Sequence, residues 1–127
     1  MKTLILVLAV GISALATAGT VIANNDVTLA GGEVKDVFTG EKVSAGGVKL
    51  VLVDNKGAIS EFCSKALGMD DGKYTSLWAK KSFRDGLPTP KSKTSDAEVT
   101  DFVKSTSGAV GYVSGAAGAG VKEISKY

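Results

Sequence analysis

Apolar positions along this chain recur with two periods, and the alternation between them predicts an α/β domain. Thr20 to Asn24 reads as a short first strand. From Gly32 to Thr39, Val34, Val37 and Phe38 share one helical face, and Gly40 follows where a left-handed cap is wanted. Val48 to Val53 is apolar except for Lys49, the pattern of a strand buried on both faces. Ile59, Phe62, Cys63, Ala66 and Leu67 fall at i, i+3, i+4, i+7 and i+8, a helical stripe that Gly68 can stop. Asp70 or Asp71 can cap the next helix, which carries Tyr74, Leu77 and Trp78 on one face. Residues 84–94 hold both prolines, Pro88 and Pro90, and read as an irregular loop. Ser95-Asp96-Ala97-Glu98 is a capping box opening a last helix, with Val99, Phe102 and Val103 inward. Ala109 to Ser114 and Val121 to Ser125 are closing strands, and the Gly-rich stretch between them predicts a hairpin. The expected architecture is a mixed sheet of about four to five strands flanked by about four helices.

The first residues carry a different pattern. Lys2 precedes an apolar run from Leu4 to Leu15, broken only by Gly11 and Ser13, and Ala16-Thr17-Ala18 supplies the small residues of a cleavage site. The run is shorter than the about 20 apolar residues of a membrane span. Residues 1–18 are therefore expected to be a cleavable signal peptide and residues 19–127 the domain, periplasmic or secreted and without stable membrane insertion after cleavage. A cut after Ala23 is the alternative, but it would remove the first strand; an uncleaved N-terminal anchor is the other. Of 127 residues 109 then remain, enough for one core but not for two lobes around a cleft.

Charge narrows the chemistry. The chain has 15 Lys/Arg and 13 Asp/Glu, too balanced for a nucleic-acid binder. The excess lies in residues 56–93, with eight basic and four acidic side chains, a middle that could attract a small anion or simply be solvated. There is no histidine, which removes Ser-His and Cys-His nucleophile pairs, and a zinc site is excluded by the single cysteine. Cys63 lies on the apolar stripe and is expected in the core. Gly115 to Lys122 imitates a phosphate loop, but Val121 separates Gly120 from Lys122 and no Ser or Thr follows. No enzyme and no cofactor is expected. What remains is backbone chemistry: a helix start offers unpaired N–H groups and partial positive charge to an oxyanion, or merely caps its helix. The candidate starts are Lys56-Gly57-Ala58-Ile59-Ser60 and Thr94-Ser95-Asp96.

Several segments then match a family pattern in order: LAGGEVKDVFTG at residues 29–40, VKLVLVDN, EFCSKALG, LWAKKSF and DFVKSTSGAVGYVSG. Together they resemble the phosphate ABC-transporter substrate-binding proteins, in particular short, exported members with a single periplasmic-binding-protein-like lobe. Gly108-Ala109-Val110-Gly111-Tyr112-Val113 is the most specific part. Full-length members of that family enclose phosphate between two lobes, with a Ser-Gly-Thr cluster and an arginine at the helix start matching residues 56–61. Here that segment lacks the Thr and the Arg and contains Glu61, a like charge for an anion. The resemblance implies Gly57, Ser60, Thr94 and Ser95 as ligand contacts, with Lys56 and Arg84 as charge partners. Two functions fit: a weak binder of phosphate or a related oxyanion linked to phosphate uptake, or a ligand-free lobe that docks on an envelope protein or transporter around the 84–94 loop.

Overall fold

The computed structural model describes residues 19–127; the expected signal peptide, residues 1–18, lies outside the described residues. Seven strands and four α-helices follow in order: β1 (Thr20–Ala23), α1 (Val34–Phe38), β2 (Ser44–Ala45), β3 (Val48–Lys49), β4 (Val51–Asn55), α2 (Ile59–Phe62), α3 (Asp71–Asp85), β5 (Lys91–Lys93), α4 (Asp96–Ser105), β6 (Ala109–Val113) and β7 (Lys122–Lys126). The main sheet has the order β5-β4-β6-β1-β7, and β2 and β3 form a separate two-stranded ribbon. Strand β4 runs parallel to β5 and β6, whereas β1 is antiparallel to both β6 and β7. This is the expected mixed α/β sheet with four flanking helices.

Three expectations need correction. The closing strands do not form a hairpin, because β1 lies between them: Val21 pairs with Tyr112 on one side and with Ser125 on the other. A strand as apolar as Thr20–Ala23, buried along its whole length, belongs inside a sheet, and it takes the place that a hairpin would have closed. The 48–53 run is not one strand. Gly46 and Gly47, at φ 56° and 83°, turn the chain so that Val48 pairs with Ala45 in the ribbon, and the main sheet begins only at Val51. The 84–94 loop contains an edge strand, β5, whose Lys91, Ser92 and Lys93 pair with Val53, Asp54 and Asn55. Three polar residues carry no apolar alternation to reveal a strand, and lysines suit an edge because they discourage further pairing.

Both faces of the sheet are covered. On β6, Val110 and Tyr112 face the larger core with Val37 and Phe38 of α1, Phe62 of α2, and Tyr74 and Trp78 of α3. Ala109 and Val113 face α4, packing with Ile22, Val53, Val99 and Val103. Gly111 lies on that second face, where a Cβ would stand 2.6 Å from Val53 and 2.9 Å from Val99; its bare backbone lets α4 sit down on the strand. Phe62 stacks on Tyr112, with centroids 3.8 Å apart, and Phe38 and Tyr127 meet Phe62 edge-on at 4.9 and 5.2 Å.

The apolar stripe of residues 59–67 lies on α2 and on a wider π turn, Cys63–Leu67, ended by Gly68 at φ 70°. Phe62, Cys63 and Leu67 are buried there, with Ile59 and Ala66 packed alongside. Asp70 caps α3 by accepting from the Lys73 N–H at 2.7 Å. Among the described residues no helix is long and apolar enough to cross a membrane.

Candidate oxyanion site at the carboxyl ends of the strands

Strands β4, β5 and β6 point the same way, and their carboxyl ends deliver Asn55, Lys93 and Val113 to one edge of the sheet. Ligands of open α/β sheets gather at such an edge. The chain leaves β4 through a tight turn: the Lys56 N–H donates to the Lys93 carbonyl at 2.9 Å and the Ala58 N–H to the Asn55 carbonyl at 2.9 Å. The Gly57 N–H donates to Asn55 Oδ1 at 3.0 Å, and a Cβ on Gly57 would lie 3.4 Å from the Thr94 carbonyl. Lys56, Gly57, Thr94 and Ser95, far apart in sequence, therefore converge.

Each of these groups already has a partner within the chain. The Thr94 N–H and hydroxyl both donate to Glu98 Oε1, at 2.9 and 2.6 Å, and these bonds hold the Glu98 carboxyl below its usual range. Ser95 Oγ accepts from the Glu98 N–H at 3.2 Å, so the N-cap half of the expected capping box is present, while the Glu98 carboxyl reaches back to Thr94 rather than to the Ser95 N–H. Ser60 Oγ donates to Asp71 at 2.9 Å, in a shallow polar depression that also holds Asp70 and Lys73. Glu61 pairs with Lys65 at 3.2 Å. Arg84 is not brought to this edge. Ser60 touches the first turn of α3, whereas Arg84 lies in its last turn, roughly 20 Å along the axis at 1.5 Å per residue, next to Asp85.

The centre of the edge is Asp96, which stands in the sequence as part of a capping box and of a candidate helix start. One of its oxygens accepts from Asn55 Nδ2 at 2.8 Å and from the Ser114 N–H at 3.0 Å, and the other from Ser114 Oγ at 2.8 Å. Partial burial raises its pKa, but the bonds from the Ser114 N–H and hydroxyl and from Asn55 outweigh that and hold the carboxyl below the ordinary value. Fully buried Asn55 thus ties β4 to α4 through Asp96 and to β6 through the Tyr112 carbonyl at 3.2 Å. Behind this edge, the Tyr74 and Tyr112 hydroxyls donate to Asp54 Oδ1 at 2.8 and 3.0 Å. Burial raises the Asp54 pKa, and the two hydroxyls only partly offset it. The signals for these groups were faint: an Asp-Asn pair at a strand end, an acid one residue into a helix and a serine just beyond a strand.

The fold that carries this edge is α/β and periplasmic-binding-protein-like, similar to part of two solved proteins of phosphate transport. The fold matches an ABC-type phosphate transport receptor from Vibrio cholerae with TM-score 0.52 and 17% identity, over 85% of this chain and 45% of that one. It likewise matches a phosphate ABC transporter substrate-binding protein from Clostridium perfringens, solved with bound phosphate, with TM-score 0.53 and 17% identity, over 85% and 44% of the respective chains. The chain thus spans less than half the length of these structures. No family model and no curated protein matches it.

Proposed function

We propose that this domain is an exported, solute-binding-like lobe that holds phosphate or a related oxyanion weakly, in the service of phosphate uptake, and that it catalyses no reaction. The observation that carries this reading is the convergence of two helix starts, Lys56–Ser60 and Thr94–Asp96, at the carboxyl edge of the sheet in a lobe whose solved neighbours are phosphate receptors. Weak binding follows from the local chemistry. An incoming oxyanion competes with Glu98 for the Thr94 donors and with Asn55 for the Gly57 N–H. A single lobe also leaves the ligand open to water.

The test is phosphate titration followed by amide chemical shifts in the wild type and in Glu98→Ala. Shifts at residues 57–60 and 94–96 at millimolar phosphate, strengthened in Glu98→Ala and weakened by salt, are the expected result. Glu98→Ala removes the competing carboxylate at the cost of a cap, about 1 kcal/mol of stability. If these amides stay still in both proteins, the lobe binds no oxyanion, and docking on an envelope protein or transporter takes its place.

A further inference from the structure

At the opposite end of the sheet, a cavity of about 320 Å³ opens beside the start of β4. Leu50, just before β4, and Val51 and Leu52 within it line the cavity and remain partly exposed, although the strand is flanked by helices and continues into fully buried Val53. Trp78 and Leu87 from the α3 side and Val43 from the segment before the ribbon complete the apolar wall; Val43 is 49% exposed. Strand β5 pairs only with Val53–Asn55, so Val51 and Leu52 have no strand partner on that side among the described residues, and Leu87 to Thr89 border the cavity instead. The lining also includes Lys42, Lys49 and Lys91 and no acidic residue. Lys42 is paired with Glu33 at 3.4 Å, whereas Lys49 and Lys91 are exposed and form no ion pair among the described residues.

We propose that this cavity is a second binding site, separate from the oxyanion edge, for a small organic anion with a hydrocarbon body, such as a free medium-chain carboxylate. The apolar wall takes the body and the lysines take the head group. The size is at the lower end of ordinary ligand pockets, roughly 300–1,000 Å³. Two unpaired ammonium groups beside a largely apolar wall select a negative head over a neutral or positive one.

Trp78 is the only tryptophan in the chain and lines the cavity, so its emission reports occupancy. The probes are decanoate, decanol and decyltrimethylammonium, all below their micelle thresholds. Decanoate should change Trp78 emission saturably and shift the amides of residues 50–52. Decanol should bind more weakly and decyltrimethylammonium weakest. Lys49→Glu/Lys91→Glu should weaken decanoate roughly tenfold, since each exposed charge contributes modestly. Lys80→Glu, on the same helix as Trp78 but outside the cavity, should leave the affinity unchanged. Circular dichroism confirms that the variants fold, as expected for substitutions at exposed positions. Unchanged emission and unchanged amides at residues 50–52, equal binding of the cationic probe, or undiminished binding in the double variant would each overturn the proposal.

Discussion

Asp54 accepts two tyrosine hydroxyls on a single oxygen, and that detail decides what its replacement should do. Asparagine keeps this acceptor and loses the charge. Burial makes the folded protein hold the Asp54 proton more tightly than the unfolded chain does. Stability from this group therefore falls as pH rises from the ordinary value of 3.8 through the raised one, and stays lower above it. Asp54→Asn should raise the unfolding midpoint at neutral pH and leave it nearly unchanged below the ordinary value, as read by denaturation across pH. Cys63 makes the complementary case. It is fully buried, and its thiol is pushed up to about 12 by burial and by nearby Asp54. Thiol labelling without denaturant should be slow, and Cys63→Ala should cost about 1 kcal/mol in lost packing. Burial of Cys63 was legible in the sequence because it rests on helical spacing. The pairing of Asp54 with Tyr74 and Tyr112 was not, since it joins residues 20 and 58 positions apart.

Among the elements, helices were easier to read than strands. A helix carries its own evidence in caps and stripes: Ser95 with Glu98 and Asp70 before α3. A strand depends on neighbours that the local sequence does not name. The 48–53 run was apolar but for Lys49 yet divided between two sheets, and β5 was too short and too polar to register. The candidate edge followed the same division: its helix starts were visible, while the Asp96 bridge to Ser114 needed the placement of β6 against β4. Strand β6 also explains why two glycines stand in the most specific segment. Gly108 has φ 77° and approaches the Lys49 carbonyl, and Gly111 admits α4. Gly111→Ala forces Val53 or Val99 to shift and should cost about 1–3 kcal/mol by overpacking, measured by urea unfolding.

At the scale of the molecule, the chain forms one lobe with helices on both faces of a mixed sheet, and the sequence pattern carried that much, since alternating periods fix the class without fixing the strand order. The two ends of the described chain meet: the Gly19 N–H donates to the Tyr127 carbonyl at 3.1 Å, and the Tyr127 N–H returns a bond to Gly19 at 3.0 Å. The Tyr127 ring lies where a Cβ on residue 19 would be, 2.2 Å away, so only glycine fits there. We expect a mature N-terminus at Gly19, checked by N-terminal sequencing of the exported protein. Recovery of a form beginning at Asn24 would mean that the strand β1 is dispensable. The position of that strand also bears on when folding can happen. Thr20–Ala23 comes first in the described chain, yet it pairs with the last two strands, so the sheet closes only through contacts of very long sequence separation. A chain emerging amino end first carries β1 without a sheet partner until Ala109–Val113 has followed it, and without its second partner until Lys122–Lys126 has. The strand order thus makes closure of the sheet a late event, set by the segments farthest along the chain from β1.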